Sequence, residues 1–142
     1  LIPSGTAISE QYAEMMQYNL KRAGIEMNVL SLEWASFLER VLSRDFDVTI
    51  MSWAMDPEND PYQLFHGSQA DPALRSSNHV GFVNPEADRL IERIRVTLDP
   101  EERGRLFNTF HRLIDFEQPY TFLWTRKELG VYHQRYRGVK FY

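Results

Sequence analysis

Two carboxylates in a short proline-broken loop, Asp56 and Asp60, are the residues whose type and spacing come nearest to chemistry in this 142-residue sequence. Such a pair can serve as general acid and base when unlike surroundings push the two pKa values apart. The loop offers no nucleophile and no pair of oxyanion donors beside them, so solvated loop carboxylates or helix caps account for them better. A metal centre would need histidines and carboxylates that converge. His66, His79, His111 and His133 show no short ligand spacing, and His111 falls mid-helix. The chain has no cysteine, hence no thiol chemistry and no disulfide framework, although that leaves the compartment open. It also lacks a dinucleotide-binding glycine fingerprint, a phosphate loop with its Lys-Ser/Thr, and a Gly-x-Ser-x-Gly elbow. The expectation is a protein that is not an enzyme and uses neither cofactor nor metal. Ahead of the carboxylates stands Trp53, whose residue type at a strand end is more often partly buried core than ligand platform.

The elements that must position this loop read as an α/β pattern. Val48, Ile50 and Met51 have the short apolar character of a strand buried on both faces, and Pro57 and Pro61 prevent the backbone from continuing as helix or ladder. Trp53 and Asp56 would then stand at the carboxyl end of a strand, where open α/β sheets bind ligands. Residues 1–4 look like the end of a strand entering a glycine turn. Ser9 can cap a helix with Tyr12, Met15, Met16 and Leu20 on one side, stopped by Gly24. Residues 25–32 alternate as a strand, and Trp34, Phe37, Leu38, Val41 and Leu42 give an amphipathic helix ended at Asp45. Two successive βαβ units with parallel strands follow from that order.

Beyond Asp60, a short helical turn over 61–66 leads into a polar surface loop over 67–79. Asn84-Pro85-Glu86 opens a helix whose Ala87, Leu90, Ile91, Ile94 and Leu98 form its buried stripe. Asp99-Pro100-Glu101-Glu102 opens another, with Leu106, Phe110, Leu113 and Ile114 inward, ended by Pro119. Residues 120–125 and 129–133 read as β segments joined by the charged turn Arg126-Lys127-Glu128. The expected fold is a mixed sheet of about four to five strands flanked by helices, in a single domain over 1–142. No internal repeat is present.

With 16 basic and 20 acidic residues the formal charge is −4, which argues against a nucleic-acid surface. No apolar run is long enough to span a membrane, and no signal peptide is recognisable. The opening residues suggest a piece of a longer protein.

Taken in order, Gln17 to Ile25, Leu32 to Leu38, Arg44-Asp45-Phe46-Asp47, Ser52-Trp53 with Asp60-Pro61, Asn78 to Leu90 and Gln118 to Leu123 closely resemble the C-terminal lobe of family 5 extracellular solute-binding proteins. That group includes the dipeptide-, oligopeptide- and nickel-binding proteins of ABC importers. The resemblance implies one lobe of a periplasmic-binding-protein type II fold, in which two lobes close on a ligand. It implies a substrate-binding component that captures di- to oligopeptides outside the cytoplasm, in the periplasm or extracellular space, and passes them to a membrane permease. A lipid anchor would reside on a segment missing here. In the peptide-binding members an aspartate three residues after the tryptophan pairs with the peptide's α-ammonium group, and Asp56 has that spacing here. The implied binding set is Trp53, Ala54, Met55, Asp56 and Asp60. Ser52 replaces a usual glycine and Phe82 a frequent tyrosine. Asp60 is a rival anchor to Asp56, and a cap for the turn at Pro61 explains it equally well. The alternatives are another cargo on the same fold, such as a nickel chelate or an oligosaccharide, a regulatory or interaction domain, or a small hydrolase using Asp56 and Asp60.

Overall fold

A computed structural model describes residues 1–53, 60–125 and 131–139. It opens with the expected βαβ unit. Strand β1 (Ile2–Pro3) pairs in parallel with β2 (Ser31–Leu32), with Ile2 opposite Ser31 and Pro3 opposite Leu32. The Ile2 amide donates to the Leu30 carbonyl at 3.0 Å and the Ser4 amide to the Leu32 carbonyl at 2.7 Å. Between the strands runs α1 (Ala7–Arg22). It starts two residues before Ser9, with Thr6 at the N-cap, and gives way at Ala23 to Gly24, whose φ of +80° is the left-handed conformation glycine adopts without strain.

The expected sheet of four to five strands is not found. Among the described residues the sheet has two strands, both parallel. Of the expected strand at 25–32, Ile25 and Val29 are exposed and only Ser31 and Leu32 join a ladder. Residues 48–49 do run beside β1, on the edge opposite β2. The Leu1 nitrogen donates to the Val48 carbonyl at 2.7 Å, and Thr49 Oγ1 donates to the Leu1 carbonyl at 3.1 Å. One backbone bond and one side-chain bond do not make a ladder, and Val48 is exposed rather than buried on both faces. Residues 120–125 and 131–133 likewise have no strand partner among the described residues, and Phe122, Leu123 and Trp124 are exposed. Alternating apolar residues become a strand only where a neighbouring backbone takes up their amides. The turn at Arg126–Glu128 and residues 129–130 lie outside the described residues.

The helices follow the sequence signals closely. α2 (Trp34–Ser43) is capped by Glu33, whose carboxylate accepts from the Ala35 amide at 2.9 Å. It buries Phe37 and Val41 and ends at Arg44 in the left-handed region, one residue before Asp45; Trp34, in its first turn, is exposed. α3 (Tyr62–Phe65) is a single turn. α4 (Pro85–Val96) starts at Asn84, whose Oδ1 accepts from the Glu86 and Ala87 amides. α5 (Pro100–Glu117) starts at Asp99, whose Oδ1 accepts from Glu102 at 2.7 Å. Gln118, left-handed at φ +46°, ends α5 one residue before Pro119. Leu98 departs from its expected place in the buried stripe. α4 stops at Val96, so Leu98 falls off the helical face and is 93% exposed.

Ala87, Leu90, Ile91 and Ile94 of α4 pack against Leu106, Phe110 and Ile114 of α5, with Leu64 and Phe65 of α3 closing the cluster and Trp53 and Tyr120 at its border. Ile2, Ala13, Phe37 and Val41 are the buried residues of β1, α1 and α2. The expected polar surface loop at 67–79 is more structured than its composition suggests. It holds two 3-10 turns, Gly67–Gln69 and Pro72–Leu74, and its last two residues, Asn78 and His79, are buried.

Ile91 has no solvent exposure in the middle of the α4 and α5 contact. Ile91→Ala is therefore expected to cost about 2–5 kcal/mol in denaturant unfolding, whereas Val96→Ala, at a position 77% exposed, should change stability by less than about 0.5 kcal/mol.

Candidate ligand-binding site

The loop that carries the candidate carboxylates is bracketed by Trp53 on one side and Asp60 on the other. Ala54, Met55 and Asp56 lie outside the described residues. Trp53 is half-buried. The Tyr120 and Trp53 rings meet edge to face at 5.1 Å between centroids and 75°, and the His79 imidazole lies nearly parallel to the indole at 6.3 Å and 17°. Aromatic pairs at such separations add about 0.5–1.5 kcal/mol beyond area burial. One face of the indole is thus core, as the residue type suggested, and the side chain still reaches solvent.

Tyr120 and His79 are themselves fixed. The Tyr120 ring packs edge-on against Phe65 at 5.8 Å, and its hydroxyl donates to the Ser77 carbonyl at 3.4 Å. Burial raises the Tyr120 pKa above its ordinary value, against the smaller opposing effects of the Val80 and His79 backbone amides and of Arg44. The turn holding His79 is closed by Asn78, which is 1% exposed. Its Nδ2 donates to the Phe82 carbonyl at 2.9 Å, and its Oδ1 accepts from the Phe82 amide at 2.8 Å. Arg44 reaches in from the end of α2 and donates to the carbonyls of Ala70 and Asn78. It also explains Gly81. That residue has φ +68°, and a Cβ there would stand 2.8 Å from Arg44 Nη1. His79 is buried, and among the described residues its Nδ1 has no hydrogen-bond partner. Burial first, and the nearby Arg44 charge second, hold its pKa below the ordinary 6.5.

Asp60 is committed within the chain. Its Oδ1 accepts from the Tyr62 amide at 3.0 Å, and its Oδ2 stands 3.1 Å from Arg95 Nε. Pro61, buried behind it, leads directly into α3. The four histidines are dispersed. His66 stacks on Tyr62, His111 is on α5 beside Phe107, and His133 Nδ1 accepts from the Arg135 amide. Among the described residues no group of three or more histidine, aspartate or glutamate side chains converges as metal ligands do.

Sequence reasoning singled out Trp53 and Asp60 but not the residues that hold them, namely His79, Tyr120, Arg44, Asn78 and Arg95. For His79, Asn78, Tyr120 and Arg44 the signal lay in the stretches Asn78 to Leu90 and Gln118 to Leu123 and in Arg44-Asp45-Phe46-Asp47, each matched as a motif without an assigned task; Arg95 lies in none of them.

The family model for bacterial extracellular solute-binding proteins, family 5 Middle, matches residues 1–72, half of the sequence. The chain belongs to this family. Oligopeptide-binding protein AppA of Bacillus subtilis (strain 168) is 29% identical over 140 residues, covering 97% of this chain and 25% of its own length. Di/tripeptide-binding protein 4 of Pseudomonas aeruginosa (strain UCBPP-PA14) is 30% identical over 96 residues, covering 67% of this chain and 18% of its own length. The solved structure of AppA from Bacillus subtilis, in complex with a nonapeptide, superposes with a TM-score of 0.76 at 29% identity, over 84% of this chain and 23% of that one. NikZ from Campylobacter jejuni, solved in complex with Ni(L-His), superposes at 0.69 with 20% identity over 83% of this chain and 24% of its own, which speaks to fold alone. These solved neighbours are periplasmic binding proteins of the type II fold, and the family member described here shares that fold over the matched part. The chain spans about a quarter of the length of the AppA sequence it matches.

The low pKa of His79 has a direct consequence for stability. As pH falls, the unfolded chain takes up the His79 proton first, so its contribution is full above about 6.5 and is lost as pH drops from there toward the lower folded value. An NMR titration should place its midpoint below 6.5. Unfolding midpoints should fall between about pH 7 and pH 5 more steeply for the native protein than for His79→Gln.

Proposed function

We propose that this chain is most of the C-terminal lobe of the substrate-binding component of an ABC importer, which captures di- to oligopeptides when two lobes close around them. The observation that carries this reading is the likeness along 97% of the chain to an oligopeptide-binding protein, supported by the superposition on that protein's nonapeptide complex. The protein performs no chemistry on its ligand. Affinity for any peptide sequence comes from backbone hydrogen bonds and from lobe closure, with side-chain pockets shared between the lobes.

Within this lobe Trp53 is the platform and Asp56 the anchor for the free amino end. The braced, half-exposed indole suits an apolar contact with the ligand, and it is followed three residues later by Asp56. Asp60 is the lesser candidate, since both its oxygens already have partners within the chain. Ala54 and Met55 complete the proposed contact set. A charge-assisted bond to an ammonium group is worth about 1.5–3 kcal/mol, which orients the peptide rather than supplying most of its affinity. The protein works in the periplasm or outside the cell, in keeping with a family described as extracellular. Its macromolecular partner is the importer's membrane permease, and its charge of −4 does not suit nucleic acid. Among the described residues no helix is long and apolar enough to cross a membrane.

In the full-length protein, Asp56→Asn is expected to weaken peptides with a free amino end about tenfold or more in calorimetric titration and N-acetylated ones far less; equal weakening of both would refute the anchor. The isolated chain should bind mixed di- to pentapeptides poorly, because half of the cleft is absent, and micromolar affinity for it would overturn the two-lobe reading.

A further inference from the structure

Buried apolar residues lie in β1, α1 and α2 and, as a separate cluster, in α3, α4 and α5. Residues 48–49 run beside β1, and Trp53, a few residues on, packs at the border of the second cluster. Where the indole stands therefore depends on how the two groups of elements are held together. Arg44 joins them. It ends α2 with φ +59°, a conformation that glycine takes freely and arginine only with backbone strain. Its Nη2 donates to the carbonyls of Ala70 and Asn78, 26 and 34 positions further along the chain. The Asn78 carbonyl and the His79 amide belong to one planar unit, so holding the oxygen also sets the plane from which the His79 ring departs. The amide end of that plane interacts with the Tyr120 hydroxyl. Arg44 Nη1 crowds the space a side chain at residue 81 would need. A second arginine links α2 to the same segment, since Arg75 pairs with Glu39, but both of those side chains are exposed and such a link constrains little.

We propose that Arg44 is a positioning residue for ligand recognition, holding the 78–79 turn so that His79 and Tyr120 keep the Trp53 indole in place before a ligand arrives. This rests on the peptide-binding reading above, with Trp53 as platform, and deepens it. Arg44 acts through the turn and not by touching the ligand. Charge-assisted bonds to carbonyls are stronger than neutral ones, and one rigid guanidinium serves both acceptors. An indole fixed in advance spares binding the ordering of a large side chain. Residues without ligand contact change affinity in this way by roughly two- to thirtyfold.

The test uses the full-length protein in five forms: native, Arg44→Gln, Trp53→Ala, the double variant of those two, and Arg75→Gln, each titrated calorimetrically with the tripeptide Ala-Phe-Ala. Arg44→Gln is expected to lose roughly three- to tenfold in affinity, and Arg75→Gln less than about twofold. In the Trp53→Ala background, Arg44→Gln should cost less than about twofold, because its effect passes through the indole. No loss in Arg44→Gln, the same loss in both backgrounds, or equal losses in the two arginine variants would overturn the proposal. If Arg44→Gln does not fold, Arg44→Lys takes its place, with a cationic donor for the carbonyls but no fork, and the same comparisons decide. If the native protein binds neither this tripeptide nor mixed di- to pentapeptides, the peptide reading fails separately. The positioning role is then decided without ligand, by the fluorine NMR signal of Trp53 in protein labelled with 5-fluorotryptophan, assigned through Trp53→Phe. That signal should shift or broaden in Arg44→Gln and stay in place in Arg75→Gln; an unchanged signal in Arg44→Gln would overturn the role.

Discussion

The buried Asn78 side chain closes a turn with both of its functional ends, and the candidate site rests on that turn. Its carboxamide returns the Phe82 amide and carbonyl to hydrogen bonds that no helix or ladder supplies. Leaving such groups unpaired costs about 1–3 kcal/mol each, so the 78–82 backbone has one satisfactory conformation. That conformation presents His79 to Trp53, places Phe82 against Phe65 and gives Arg44 a carbonyl to hold. Glycine at 81 is then favoured on two grounds, its positive φ and the guanidinium beside it.

Around this turn the chain uses two kinds of support. The aromatic residues Trp53, Phe65, Phe82, Phe110 and Tyr120 meet mostly edge to face, an arrangement that fills space while keeping ring edges against ring faces. The charged residues work at the rim instead. Arg75 bridges to Glu39 through two bonds, with the arginine pKa raised and the glutamate pKa lowered by that bond, yet both are exposed and the pair ties a surface turn to α2 without carrying the core. Asp88 belongs to neither group. It reaches from α4 to the Gly67 amide at 2.7 Å and leaves no room for a side chain at that glycine. α4 thus fixes α3 and the turn that follows it.

Helices were legible from local chemistry. Asn84-Pro85 and Asp99-Pro100 name their own starts, and Ile91, Ile94, Phe110 and Ile114 fall inward because the helical period places them on one face. The strands were not. A parallel strand needs a neighbour supplied by remote sequence, and residues 25–30 and 120–125 have the pattern but, among the described residues, no such neighbour.

The same division applies to the site. By itself the sequence determined the family resemblance, the tryptophan ahead of an acidic loop, the helix caps and the absence of catalytic motifs, because residue type and near spacing decide all of these. Only tertiary structure decided that Asp60 is spent on Tyr62 and Arg95, and that His79, 26 positions beyond Trp53, lies against it. It also decided that Arg44 and Asn78 hold the turn between them. Those pairings join residues far apart along the chain, and no local preference encodes which distant partner a side chain will meet.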